Sequence, residues 1–206
     1  MNGSMSSDPF DDKSATWDTD PRHIERAKVV AQTIRSEVPL SKSMRTLEYG
    51  AGTGLVSEEL QNDVGPITLA DTSTGMRQVI ASKVAQGRLP DVKIADFDLG
   101  AAELPDDRFE LIVTVLTLHH MADLNKALDG LHSLLEPGGR LCVVDLDKED
   151  GSFHGDGFGG HHGFDRNELS GQLRSAGFDD VRMIDCHYID REDGRFPMFL
   201  AVATVN

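Results

Sequence analysis

Gly50, Gly52 and Gly54 stand at alternate positions in the run Leu47-Glu48-Tyr49-Gly50-Ala51-Gly52-Thr53-Gly54. Glycine turns with positive φ and lets the backbone lie against a ligand with no Cβ between them, and the start of the next helix offers free N–H groups. This is the form of a nucleoside-binding loop. A dinucleotide fingerprint, Gly-x-Gly-x-x-Gly, would place its third glycine where Leu55 stands. Glu48, just before the loop, repels a pyrophosphate and attracts a cationic amino group. The loop therefore suits a cofactor with positive charge and no phosphate. Asp71 follows Gly54 by 17 residues, close to the roughly 20 at which an acid accepts both ribose hydroxyls. Asp96 ends the next strand and is placed to accept an exocyclic amine such as adenine N6. Together these groups describe an adenosine with a cationic tail.

His119, His120, His154, His161 and His162 are candidate bases near neutral pH, and their spacing does not rank them. The stretch 153–164 offers three of them with Asp156, a composition that invites a metal. Adjacent side chains in extended backbone point to opposite faces, however, so His161 and His162 are a poor pair for one ion and no metal is expected. The glycine-rich, aromatic loop 151–163 is instead expected to cover a substrate pocket together with residues 17–31.

The elements that must hold these groups follow from periodicity. Asp20-Pro21 is an N-cap and first-turn proline, and Ile24, Ala27, Ala31, Ile34 and Val38 follow at helical spacing until Pro39. Short apolar, β-branched runs predict strands at 45–49, 67–70, 92–95, 111–118, 141–146, 181–189 and 196–205. Helices are predicted around 56–60, 73–85, 124–135 and 166–176, and Pro137-Gly138-Gly139 is expected to turn the chain. Strands alternating with helices mean a Rossmann-like, doubly wound, mostly parallel sheet, with the early loops gathered on one edge. The brief Asp190-to-Gly194 link makes the last two strands an antiparallel pair. Residues 1–19 are expected to be a flexible tail and 20–206 a single domain.

The 206-residue chain carries 20 Lys and Arg against 35 Asp and Glu, a net charge of −15. That balance disfavours nucleic acid and anionic lipid as partners and favours a small-molecule substrate. Cys142 and Cys186 are too few for a disulfide framework, and no apolar stretch reaches the length of a bilayer span. A cytoplasmic protein, monomer or homodimer, is expected.

The joint pattern resembles the class I S-adenosylmethionine-dependent methyltransferases, of the group called type 11, over roughly residues 17–205. The glycine run, Ala70-Asp71-Thr72-Ser73 with Met76, Ala95-Asp96-Phe97, Leu118-His119-His120, and Leu135-Glu136-Pro137-Gly138-Gly139-Arg140 carry the likeness. It implies seven strands with the last antiparallel, and S-adenosyl-L-methionine as cofactor. It also implies cofactor contacts from Glu48, Gly50, Ala51, Gly52, Thr53, Gly54, Asp71, Thr72, Met76, Asp96, Phe97 and Leu116. Glu110, where many relatives carry aspartate, and Pro197, near the entry of the last strand, depart from the pattern. The Asn/Asp-Pro-Pro-Tyr/Phe signature of adenine and glutamine methyltransferases is absent from the sequence. An NAD-dependent oxidoreductase and a non-catalytic nucleoside-binding protein are the alternatives.

Overall fold

The computed structural model describes residues 10–155, 157–192 and 194–206. Residues 1–9 of the expected tail, Asp156 and Asp193 lie outside them. Seven strands form one sheet: β1 (Thr46–Tyr49), β2 (Ile67–Ala70), β3 (Val92–Ala95), β4 (Phe109–Val115), β5 (Leu135–Leu146), β6 (Asp179–Arg191) and β7 (Gly194–Thr204). Their order is β3-β2-β1-β4-β5-β7-β6, with the first five parallel and β7 antiparallel to both of its neighbours. The strand order reverses beside β1, so its loop opens on the crevice between the loops after β2 and β4.

Alternation builds the two faces. Leu111 and Val113 of β4, with Cys142, Val144 and Leu146 of β5, join the core beneath α2 (Pro21–Glu37), α3 (Leu55–Leu60) and α4 (Thr74–Ala85). Ile112, Leu141 and Val143 point the other way, toward α5 (Leu124–Ser133) and α6 (Arg166–Ser175). The helix starts follow capping chemistry: Asp20, Ser73, Asp123 and Asp165 each accept a backbone N–H of the first turn. Among the described residues no helix is long and apolar enough to cross a membrane.

Three elements differ from expectation. Pro137-Gly138-Gly139 does not interrupt the strand before Leu141. It forms a bulge inside β5, where Phe109 pairs Leu135 but Leu111 pairs Arg140, and the Gly138 N–H donates to the Val205 carbonyl at 2.7 Å. The strand expected over 111–118 stops at Val115, because Leu116 takes a left-handed φ of 53° and a short 3-10 turn follows over Leu118–His120. Pro197 does sit by an irregularity, since the β6 register shifts between Asp185 and His187.

The third difference lies in the expected tail, where Asp11–Trp17 forms a helix, α1. Polar contacts that no periodicity reveals hold it in place. Asp11 accepts the Ser73 hydroxyl at 2.6 Å and the Gly75 N–H at 2.8 Å, capping α4 from outside. A Cβ on Gly75 would lie 2.7 Å from Ser14 Oγ, so only glycine lets the two helices meet. Beyond α1, Asp18 accepts the Thr53 hydroxyl at 2.5 Å and pairs with Lys83 at 2.7 Å. Lys83 is buried at 2% exposure and also meets Glu58 at 3.1 Å. Removing that ammonium leaves Asp18 with the Thr53 hydroxyl and Glu58 with Arg88 at 2.8 Å, but takes away the charge that joins the two acids. Lys83→Ala is expected to cost about 2–3 kcal/mol in urea denaturation; a loss below ~0.5 kcal/mol would show that the lysine does not hold this corner together.

Candidate active site

A cavity of about 480 Å³ runs along the carboxyl ends of β1, β2 and β4. Its floor is the glycine loop. The Gly50 and Ala51 N–H groups donate to the Ala70 carbonyl at 2.9 and 3.0 Å, folding the loop across the end of β2. Gly50 has φ of 68°, and a Cβ there would fall 2.2 Å from Thr117 Oγ1. Gly52 has φ of 56° but would meet nothing within 4 Å; its open side is room for a ligand. Gly54 caps α3 and lies outside the lining, whereas Ala51, Thr53, Thr72, Met76 and Leu116 line the cavity.

Asp71 joins two loops. One carboxylate oxygen accepts the Gly52 N–H at 2.7 Å and the other the Ser73 N–H at 2.9 Å. Its two oxygens thus tie the glycine loop to the start of α4. Glu48 is buried at 3% exposure and accepts the Ser57 N–H at 3.0 Å together with the Ser57 hydroxyl. Burial pushes its carboxyl up to about 7, with the Asp71 charge adding to the rise and Ser57 and Lys83 opposing it. A carboxyl so poised ionises readily once a cation arrives beside it.

The adenine-side assignment needs correction. Asp96 pairs with Arg77 at 2.7 Å, its side chain 60% exposed, and does not line the cavity. Arg77, on the first turn of α4, also donates to the Asp71 carbonyl at 2.6 Å, and so draws Asp96 away from the crevice. Phe97 packs on Tyr49 with ring centroids 5.6 Å apart, outside the lining. Asp98, two residues on, is the acid that lines the cavity there.

Arg26 of α2, which sequence reasoning missed, shares the cavity with these acids. It lines the cavity, and among the described residues it has no hydrogen bond or ion pair within contact distance; burial lowers it to about 10. The signal was an arginine adjoining Ala27 on the otherwise apolar inner stripe of α2. Phe10, Lys13, Trp17 and His23 extend that wall from α1 and the start of α2.

The histidines divide into two sets. His119 and His120 of the 3-10 turn and His154 of the loop after β5 all line the cavity. His161 instead meets the Met121 carbonyl at 3.0 Å and His162 meets Glu149 at 3.1 Å, both outside the lining. The loop is pinned, with Glu149 accepting the Gly151 and Phe153 N–H groups at 2.8 and 3.0 Å. Burial, with His119 close by, lowers both His120 and His154 to about 4, so both imidazoles are neutral at pH 7.

Residues 22–183 match the family model described as a methyltransferase domain. The chain belongs to the class I S-adenosylmethionine-dependent methyltransferases. This family membership removes the ground for the oxidoreductase alternative. An uncharacterized methyltransferase of Schizosaccharomyces pombe is 28% identical to this methyltransferase over 157 residues, covering 68% of this chain and 55% of that protein. A ubiquinone/menaquinone biosynthesis C-methyltransferase of Marinomonas sp. is 34% identical over 106 residues, 50% of this chain and 42% of that one. The chain thus spans about half the length of the relatives it matches. A chain from the complex between the Haloferax volcanii Trm112 methyltransferase activator and a putative methyltransferase superposes with a TM-score of 0.78 at 17% identity, covering 97% of this chain and 99% of that one. That likeness shows the fold.

In this methyltransferase the raised Glu48 carboxyl ties stability to pH. The folded chain keeps a proton, up to about pH 7, that the unfolded chain releases near 4.5. Glu48 therefore adds stability that is complete below pH 4.5 and is lost as pH rises through 7. With no cofactor present, Glu48→Gln is expected to be more stable than the parent at pH 8 by about 1–3 kcal/mol, with the gap closing toward pH 5. Urea titrations at the two pH values measure this, and a gap independent of pH would refute the buried, protonated carboxyl.

Proposed function

We propose that this chain methylates a small-molecule acceptor, with S-adenosyl-L-methionine lying along the glycine loop and the acceptor beside the histidines. One observation carries the reading: a single cavity joins Gly50, Gly52, Glu48 and Asp71 to a ring-lined half formed by Phe10, Trp17, His119, His120 and His154.

The residues fit the cofactor. Asp71, on the cavity wall, receives the ribose hydroxyls, Met76 and Thr72 wall the nucleoside, and Asp98 replaces Asp96 as the acid on the adenine side. Glu48 faces the cationic part, and Arg26 holds the methionine carboxylate. Bound there, S-adenosylmethionine supplies an electrophilic methyl group on a sulfonium. The chain's own contribution is to hold a nucleophile in line with that carbon and to keep water out, which the aromatic and apolar half of the cavity does. The net charge of −15 favours a metabolite over a nucleic acid.

Asp71→Ala is expected to weaken S-adenosylhomocysteine binding by roughly 1–3 kcal/mol in calorimetry. Arg26→Ala is expected to weaken it about tenfold while leaving 5′-methylthioadenosine, which lacks the carboxylate, unchanged. Equal losses for both ligands would move Arg26 out of the carboxylate site. Catalysis itself is tested with methyl-labelled cofactor and fractionated small-molecule extracts. Label entering the small-molecule fraction supports the enzyme, and tight cofactor binding with no label transferred supports a non-catalytic binder.

A further inference from the structure

His119, His120 and His154 come from two loops far apart in sequence, yet their ring nitrogens lie within 4.8 Å of one another. We propose that these three imidazoles form a site for one divalent transition-metal ion of the zinc type. The expectation of no metal rested on His161 and His162 as neighbours in extended chain; the trio that the fold assembles is a different one.

Each ring is already oriented. His119 Nδ1 is 2.6 Å from the Asp145 carboxylate, and both side chains are at 2% exposure or less. At that distance Nδ1 carries the proton, which leaves the Nε2 lone pair free. Asp145 is itself fixed, accepting the backbone N–H groups of Leu146 at 2.8 Å and His119 at 3.3 Å. A buried carboxylate behind an imidazole is the support that metal-binding histidines regularly have. His154 stacks flat on Phe158, centroids 3.8 Å apart and planes 5° from parallel. Its Nδ1 is buried with no hydrogen-bond partner among the described residues, a costly state that an ion relieves. His120 is set edge-on to Phe10 at 5.3 Å and lies against the His119 ring at 4.1 Å.

The donor set selects the ion. Three imidazole nitrogens suit zinc, copper, iron or nickel and do not suit magnesium or calcium, which need oxygen. Three protein ligands leave a fourth position open. Here it faces the cavity that also holds the glycine loop. The positive charges of Arg191 and Lys13 near these rings oppose an ion, and the negative charges of Asp145 and Glu149 favour one. Ion binding stands apart from methyl transfer. Only its use, to take an acidic oxygen of the acceptor, rests on the function proposed above.

The full chain, freed of metal by chelator and dialysis, is titrated with Zn²⁺ by calorimetry and with Co²⁺ by visible absorption. The expected result is one ion per chain with the intense absorption of tetrahedral cobalt. His154→Ala is expected to lose at least about tenfold in affinity, and Asp145→Asn roughly 10–100-fold. His162→Ala is expected to change nothing. S-adenosylhomocysteine binding, measured alongside, is expected to be retained in His154→Ala, which separates failure of this site from failure of the cofactor reading. No stoichiometric uptake by the parent chain, or equal affinity in His154→Ala, overturns the proposal.

Discussion

Carboxylates at the carboxyl ends of parallel strands need donors, and the active-site wall is built from how this chain supplies them. Glu48 takes the amide and hydroxyl of Ser57. Asp71 takes amides from the loop after β1 and from the start of α4. Asp145 takes two amides and the His119 ring. Donors from neighbouring elements thus serve each acid, helix α3 for Glu48, the glycine loop and the start of α4 for Asp71, and the 3-10 turn for Asp145, and these hydrogen bonds also fix how the elements are spaced.

The sheet and its switch point were legible because they rest on local rules. Alternating strands and helices, the cap at Asp20, and glycines at 50, 52 and 54 each act within a few residues of themselves. What escaped the sequence depends on contacts across the fold. Asp96 and Asp98 are equivalent until Arg77 claims the first of them. Helix α1 is polar and weakly patterned, and its place comes from Asp11 and Asp18 reaching α4 and Thr53. The histidines were found as residue types, but which of them share a site depends on how the loop after β5 returns. Gly160 allows that return, since a Cβ there would lie 2.2 Å from the His119 carbonyl.

Strain gathers at the same edge. Leu116, not a glycine, holds φ of 53°, and Glu48 is kept where ionisation is hard. Neither arrangement serves stability, and each costs on the order of 1–3 kcal/mol. The surrounding strands over-determine both: the Leu116 N–H is held by the Val144 carbonyl at 2.8 Å, and Glu48 sits in register between β2 and β4. Local features that lower stability while lining one cavity are what a binding edge looks like when its groups are set for a ligand rather than for each other.

Charge around the cavity then fixes the direction in which a zwitterion lies. Glu48 and Asp71 stand on the loop side and Arg26 on the α2 side. A ligand with an ammonium and a carboxylate on one carbon meets opposite potentials at the two walls, so under the proposed function its tail has one favourable orientation. Turning it around would place the carboxylate by the acids and the ammonium by the guanidinium, two like-charge contacts in a weakly solvated space. Under the same proposal the sulfonium faces the part of the cavity lined by Phe10 and His120. Orientation of the cofactor and placement of the acceptor thereby follow from one charge arrangement, without a residue that must touch both.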